Sequence, residues 1–118
     1  MEMKQDAVDR TDLSIARGLA ERVRRILGHR VRRIILFGSR ARGAASPDSD
    51  FDLLVVLREL PPAEVRPLRL SLYRALRGAG VRAEPWVMAE EEFEETKSVV
   101  GGLAHPAFTE GVLLYENT

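Results

Sequence analysis

The sequence contains no cysteine among its 118 residues. This absence excludes a disulfide scaffold, a zinc ribbon built on thiolates and a thiol nucleophile, and it permits a reducing compartment. No apolar run approaches the roughly 18–20 residues of a membrane-spanning helix, and the N-terminal stretch MEMKQDAVDR is too polar for a signal peptide. We therefore expect a soluble, cytoplasmic protein without a membrane partner.

The sequence also lacks a net charge, because its 18 basic and 18 acidic residues cancel. A general nucleic-acid binder is usually strongly basic, so we expect no direct nucleic-acid binding. The charges are nevertheless segregated: residues 1–82 hold 17 basic and 10 acidic residues, whereas residues 83–118 hold 1 basic and 8 acidic residues. Sixteen of the basic residues are Arg. This pattern is typical either of surface ion pairs or of a protein that binds anions such as phosphates.

Length and composition predict one α/β domain over residues 11–118, preceded by a tail at residues 1–10. Helical periodicity and breakers predict helices at about 11–27, 63–77 and 90–98, the first capped by Thr11 or Asp12. Apolar runs predict strands at 31–37, 50–57 and 81–88, followed by a short helix and a last extended segment. Pro85 lies within the third strand and cannot donate to a ladder, so we expect either an edge strand or an outward-facing backbone position at Pro85.

The stretch richest in chemical information starts at Gly38-Ser39 and, ten residues later, reaches Asp50-Phe51-Asp52. Asp50 and Asp52 are two residues apart on a predicted strand, so their side chains point to the same face. Carboxylates placed in this way repel each other unless a positive charge lies between them. Oxygen ligands without His or Cys suit Mg²⁺ or Mn²⁺.

The Gly38-Ser39 turn predicts the complementary half of such a site. A glycine at the end of a strand lets the backbone approach a ligand, and the turn after it exposes amide N–H groups and a hydroxyl. Arg40 and Arg42 either add charge-assisted hydrogen bonds to phosphate oxygens or belong to a solvated turn. These features together predict a cradle for Mg²⁺ and a triphosphate.

A third carboxylate is expected at Glu84, the one acidic residue within the third predicted strand. Trp86 and Met88 share its face, so a carboxylate there needs a partner. The partner is either the metal site, if this strand lies beside the second one, or an arginine at the strand edge. The sequence leaves both interpretations open.

The segment FGSRARGAASPDSDFDLLVV resembles the signature of the nucleotidyltransferase superfamily that includes DNA polymerase beta. The chain is most similar to the minimal nucleotidyltransferases, which are partners of HEPN proteins. The resemblance implies a small mixed sheet flanked by helices, with Gly38 and Ser39 on the triphosphate and Asp50 and Asp52 on the metals. It places Glu84 at the third carboxylate position, where family members often have Asp.

The resemblance further implies Mg²⁺-dependent transfer of a nucleoside monophosphate to a hydroxyl. Because the family commonly uses ATP, the expected group is AMP. The expected acceptor is a tyrosine of a partner HEPN toxin, which the protein would silence as an antitoxin. The alternative is an inactive antitoxin that neutralises its partner by complex formation. An apolar C-terminal segment, residues 111–115, either closes the sheet or meets another subunit, so a homo-oligomer stays open.

Overall fold

The computed structural model describes residues 8–117, so residues 1–7 of the predicted tail and Thr118 lie outside the described part. Within that part, helices and strands follow one another along the chain. In chain order they are α1 (Arg10–Leu27), β1 (Val31–Phe37), α2 (Ser39–Arg42), β2 (Phe51–Leu57), α3 (Val65–Leu76), β3 (Ala83–Ala89), α4 (Glu90–Thr96), α5 (Ala104–Glu110) and β4 (Val112–Glu116).

The four strands form one mixed sheet in the order β3-β2-β1-β4. Strand β1 runs antiparallel to β2 and to β4, whereas β2 and β3 are parallel. Two parallel strands need a crossover connection. Helix α3 provides it, because it returns the chain from the end of β2 to the end of the sheet at which β2 began, where β3 starts. The small mixed sheet flanked by helices is therefore confirmed, and the C-terminal segment closes the sheet as β4.

Helices cover both faces of this sheet. One face packs against α1 and α3 in a core that includes Leu19, Ile34 and Leu72. The opposite face packs against α4 and α5 in a core that includes Ile35 and Phe93. Residues 34–37 of β1 point alternately into these two cores. Both faces of this part of the strand are buried, which explains why four consecutive residues are apolar.

Strand β3 lies at the edge of the sheet, as Pro85 predicts. The Pro85 carbonyl points away from β2 and accepts a hydrogen bond from Nε of Arg69 on α3, at 2.8 Å. The backbone N and C=O of one strand residue point to the same side of the strand. The nitrogen of Pro85, which carries no hydrogen, therefore also points away from β2, and no hydrogen bond of the ladder is lost.

The predicted start of the first helix is wrong. The side chain of Asp9 caps the helix by accepting hydrogen bonds from the amides of Thr11 and Asp12, so these two residues lie in the first turn. The helix consequently begins at Arg10, and Val8 before it is buried in the core beside α1 and α3.

The other boundaries differ by one to two residues for local reasons. The parallel ladder begins where Phe51 pairs with Ala83, so the second and third strands start there and not at residues 50 and 81. The helix predicted at 63–77 consists of a 3-10 turn at Pro62–Glu64 followed by α3. In the part of the chain that is described, no helix combines the length and apolarity that crossing a membrane requires.

Candidate active site

Asp52 and Glu84 lie on neighbouring strands at one end of the sheet, and Asp50 lies just before β2. Asp52 pairs with Phe37 of β1 on one side and with Glu84 of β3 on the other. Asp50 lies two residues before Asp52, so its side chain points to the same face. Phe51, between them, points to the opposite face and is buried in the core there. Strand β2 therefore places Asp52 at the centre, with Asp50 and Glu84 beside it.

Gly38 brings the turn after β1 against the carboxylate of Asp52. Its φ of 80° and ψ of −160° belong to a backbone region that is essentially restricted to glycine. A Cβ at this position would lie 2.5 Å from Oδ2 of Asp52. In α2 the amides of Ala41 and Arg42 donate to the Gly38 carbonyl, so the head of the helix at Ser39 presents N–H groups with no acceptor in the turn. The backbone at Gly38, at the head of α2, thus lies directly against the Asp52 carboxylate.

Burial raises the pKa of Asp52, and the negative charges of Asp50 and Glu84 raise it further. Trp86, by a hydrogen bond, and Arg42, by its charge, act in the opposite direction without cancelling the effect. A like charge raises a carboxyl pKa only when it is close. The direction of the shift is the one expected for a half-buried carboxyl group with two other carboxylates nearby.

Arg82 stands beside the carboxylate of Asp50. Its Nε lies 3.0 Å from Oδ1 of Asp50, but the Arg82 side chain is 75% exposed. The N–H does not point at the oxygen, since Oδ1 is buried and receives no hydrogen bond from any residue in the range 8–117. The charge of the Arg82 guanidinium offsets part of the cost of burying this carboxylate oxygen without a hydrogen-bond donor.

Glu84 is held from outside the sheet by Arg69 of α3. Nη2 of Arg69 donates to Oε2 of Glu84 at 3.3 Å, and its Nε donates to the Pro85 carbonyl. The guanidinium also stacks on the ring of Trp86, with Cζ 4.0 Å from the ring centroid. Arg69 therefore reaches around the edge strand and fixes the third carboxylate, so the predicted strand-edge ion pair exists beside the predicted cluster.

Within residues 8–117, no three His, Asp or Glu side chains stand close enough together to form a complete metal cage. Asp50 and Glu84 are each paired with an arginine, Arg82 at 3.0 Å and Arg69 at 3.3 Å. The donor chemistry still fits a divalent cation. Asp50 offers a buried oxygen that lacks a donor, Asp52 is crowded by like charges, and all the ligands are oxygens.

The structure gives Arg40 a different setting from the predicted one. Its guanidinium donates to both carboxylate oxygens of Asp12 at 3.1 and 3.2 Å, and to the carbonyls of Pro47 and Ser49. It also stacks on Phe51, with Cζ 4.5 Å from the ring centroid. These contacts use Nε and both terminal nitrogens. Arg40 thus ties the loop before β2 to α1, and it does not point at the three carboxylates.

Arg42 lies on the side of the carboxylates. Its one ion pair in the described part of the chain, to Glu110 at 3.4 Å, is largely exposed. The positive charge of Arg42 lowers the pKa of Asp52, opposite to the effect of burial and of the two neighbouring carboxylates. Arg42 is therefore the predicted arginine that the structure leaves available to a bound anion.

Arg69 and Arg82 are neighbours of the site that the sequence alone did not assign to it. The one signal was the periodicity of α3, which places Arg69 on a face with other arginines and an exposed tyrosine. Which carboxylate it meets depends on the packing of α3 against the edge strand, which a single sequence does not specify.

A family profile for the nucleotidyltransferase domain matches residues 16–102. Among solved structures, the chain is similar to a Sulfolobus solfataricus protein assigned as a nucleotidyltransferase, with 23% identity, a TM-score of 0.64, and 91% of this chain and 82% of that chain covered. It is also similar to a chain of a toxin-antitoxin crystallised with AMP-PNP, with 20% identity, a TM-score of 0.58, and 86% and 74% covered.

A third similar structure is a complex of a tri-AMPylated Shewanella oneidensis HEPN toxin with an MNT antitoxin. The identity is 18%, the TM-score is 0.54, and 89% of this chain and 73% of that chain are covered. Likeness at these identities shows a shared fold, not a shared activity. Curated protein sequences give no match. Because the family profile spans more than half of the chain and its signature residues converge at one end of the sheet, the protein belongs to the nucleotidyltransferase domain family.

Proposed function

We propose that the protein transfers a nucleoside monophosphate, AMP from ATP, to a hydroxyl of a partner protein, and that the partner is a HEPN toxin whose tyrosine is the acceptor. The observation that carries the proposal is the close approach of the Gly38 turn to Asp52, with Asp50 and Glu84 on the same face. The turn that we propose for the triphosphate is therefore next to an oxygen that we propose for the cation. The resemblance to structures described as holding AMP-PNP or an AMPylated toxin supports the choice of AMP and of the partner.

The proposed reaction forms one bond and breaks one. The oxygen of the acceptor hydroxyl bonds to the α-phosphorus of ATP, and the bond from that phosphorus to the bridging oxygen breaks, which releases pyrophosphate. Glu84 takes the hydroxyl proton, because its strand places it beside Asp52 on the side away from Gly38. The outcome is an AMP ester of the acceptor side chain.

The turn at Gly38 and Ser39 would hold the triphosphate through backbone N–H groups and the Ser39 hydroxyl. Arg42 would add a positive charge near the phosphates. Asp50 and Asp52 would hold Mg²⁺ or Mn²⁺, with Glu84 as a further ligand, and the cation would neutralise phosphate charge and lower the pKa of the attacking hydroxyl.

A second function, occlusion of the partner without transfer, is favoured by one observation. Glu84 is one methylene longer than the Asp that family members often carry, and Arg69 holds it at the strand edge. A third carboxylate fixed in that position would leave the site able to bind a nucleotide but slow to react. In that case the protein would neutralise its partner by forming a complex.

Incubation with labelled ATP, Mg²⁺ and the HEPN-like product of a neighbouring gene separates the two functions. Transfer predicts label on the partner, on a tyrosine by peptide mass spectrometry, and loss of that label in the double variant Asp50→Ala/Asp52→Ala. The matched control is Asp48→Asn, which removes one exposed carboxylate from the preceding loop. A stable complex without label under any nucleoside triphosphate would contradict transfer and support occlusion.

A further inference from the structure

Helix α3 carries two large apolar side chains that nothing in the described part of the chain covers. Leu70 and Tyr73 are 51% and 48% exposed and lie about one turn apart on the same side of the helix. With Val65, Arg66 and Arg69 they form the α3 surface, which together with Glu84 lines a cavity of about 350 Å³. An apolar patch of this kind with a charged rim is typical of an interaction site.

The charge of this region is positive. Arg66 forms no ion pair with any residue between 8 and 117, and Arg69 is paired with Glu84 alone. A second cavity, of about 340 Å³, lies on the other side of Tyr73 and is lined by Arg77 and Arg82 among others. Among the residues that the structure describes, Glu84 is the one carboxylate that lines either cavity. The surface is therefore complementary to a ligand that combines apolar and acidic groups.

The position of the α3 surface relates it to the site. The Gly38 turn follows β1, Asp52 lies on β2 and Glu84 lies on the edge strand β3. Helix α3 packs on the opposite face of the sheet, and its surface meets Glu84 at this edge, where Arg69 contacts it. Gly38 thus lies against Asp52, whereas the α3 surface contacts Glu84, the carboxylate on the far side of Asp52 from β1. An acceptor seated on the α3 surface would therefore reach Glu84 around the edge strand, away from the Gly38 turn.

We propose that the α3 surface docks an acidic, tyrosine-bearing segment of the partner protein and delivers its hydroxyl to Glu84. This inference rests on the proposed function and adds the place and the chemistry of acceptor binding. A protein segment fits better than single-stranded nucleic acid, because one exposed aromatic residue among aliphatic ones offers no series of stacking platforms. Arg66 and Arg77 would pair with acidic residues around the acceptor.

A random copolymer of glutamate and tyrosine is a suitable probe, with a copolymer of lysine and tyrosine as its basic counterpart. We expect the wild-type protein to bind the acidic copolymer and, with Mg²⁺ and labelled ATP, to label it. Leu70→Asp and Arg66→Glu should each weaken copolymer binding about tenfold or more, as expected for changes at the centre of an interface. They should raise the KM for the copolymer and leave ATP binding unchanged.

Two control variants match these changes elsewhere on the molecule. Val100→Asp places the same charge on an apolar residue that is 82% exposed, and Arg17→Glu reverses an exposed charge on α1. Both should bind the copolymer like the wild-type protein. Equal effects of Leu70→Asp and Val100→Asp, equal binding of the two copolymers, or displacement of the acidic copolymer by a short oligothymidylate would each overturn the inference.

Failure of the proposed function would look different. If the wild-type protein binds the acidic copolymer at the α3 surface but labels neither the copolymer nor the partner, transfer fails and the docking surface stands. If it labels the partner and Leu70→Asp and Arg66→Glu change neither the binding nor the KM of the acceptor, transfer stands and the docking surface fails.

Discussion

Gly38 lies so close to the Asp52 carboxylate that a Cβ on residue 38 would stand 2.5 Å from Oδ2 of Asp52. We expect Gly38→Ala to displace that carboxylate and to strain a backbone with φ of 80°. The strain should cost about 1–3 kcal/mol of unfolding free energy, and the displacement should abolish binding of ATP with Mg²⁺. Chemical denaturation and titration calorimetry measure the two effects separately.

Gly78 supplies the matched control for this change, because it has the same φ of 80° and a Cβ added there would meet no atom of the described residues within 4 Å. Gly78→Ala should therefore lose stability like Gly38→Ala and keep its affinity for ATP with Mg²⁺. If both variants keep that affinity, the close approach of the turn to Asp52 has no part in binding.

The raised pKa of Asp52 makes the stability of the ligand-free protein depend on pH. Between the unfolded pKa, about 3.9, and the higher folded pKa, the folded protein binds more protons than the unfolded chain. The free energy of unfolding therefore falls as pH rises through this window and stays lower at neutral pH. Asp52→Asn removes this penalty.

We expect Asp52→Asn to raise Tm near neutral pH by about 2 °C or more, and to match the wild-type protein below about pH 3.9. Thermal unfolding across this range, without divalent cations, provides the measurement. Asp48→Asn, in the exposed loop, controls for the loss of one negative charge. A constant offset between wild type and Asp52→Asn at every pH would refute the assigned cause.

Arg40 and Arg42 should differ in what they contribute to stability. The Arg40–Asp12 pair is nearly enclosed, with side chains 13% and 14% exposed, whereas the Arg42–Glu110 pair is 48% and 42% exposed. Arg40→Ala leaves a poorly solvated carboxylate and should cost about 2–4 kcal/mol of unfolding free energy. Arg42→Ala should cost less than about 1 kcal/mol. Urea denaturation compares the two, and equal losses would show that Arg40 is not a structural tie.

Glu84→Gln tests the proton acceptor in the proposed reaction. The amide keeps the size of the side chain and a hydrogen-bond acceptor for Arg69 but cannot take the proton, so kcat should fall about 10²-fold or more. The KM for ATP should change little, because in the proposed site the Gly38 turn holds the triphosphate, Asp50 and Asp52 hold the cation, and the amide oxygen of Gln can still be a ligand. Single-turnover labelling of the partner measures the step directly, and an unchanged rate would remove Glu84 from the chemistry.

The sequence was sufficient to predict the sheet and the central pair of the site. An apolar run on both faces identifies β1, and the two-residue spacing of Asp50 and Asp52 places both on one face before any topology is known. Glu84 depended on an additional condition, that β3 lies beside β2, which the parallel register of Asp52 with Glu84 satisfies.

The arginines mark the limit of that prediction. Arg40 and Arg42 lie two residues apart in the sequence. Arg40 nevertheless pairs with Asp12 of α1, whereas Arg42 lies on the side of the carboxylates. Local sequence carries no information on this difference, because it arises from the packing of α1 against the loop before β2. The contact of Arg69 with Glu84 arises in the same way, from the packing of α3 over the sheet edge.

Titration calorimetry of ATP binding in the presence of Mn²⁺ tests most directly whether the Gly38 turn and the two aspartates form one nucleotide site. We expect the wild-type protein to bind ATP with Mn²⁺ at one site per chain, and to bind it far more weakly when the cation is chelated. Asp50→Ala/Asp52→Ala should remove the cation-dependent part, whereas Asp48→Asn should retain it. Equal ATP affinity with and without the two aspartates would contradict the account.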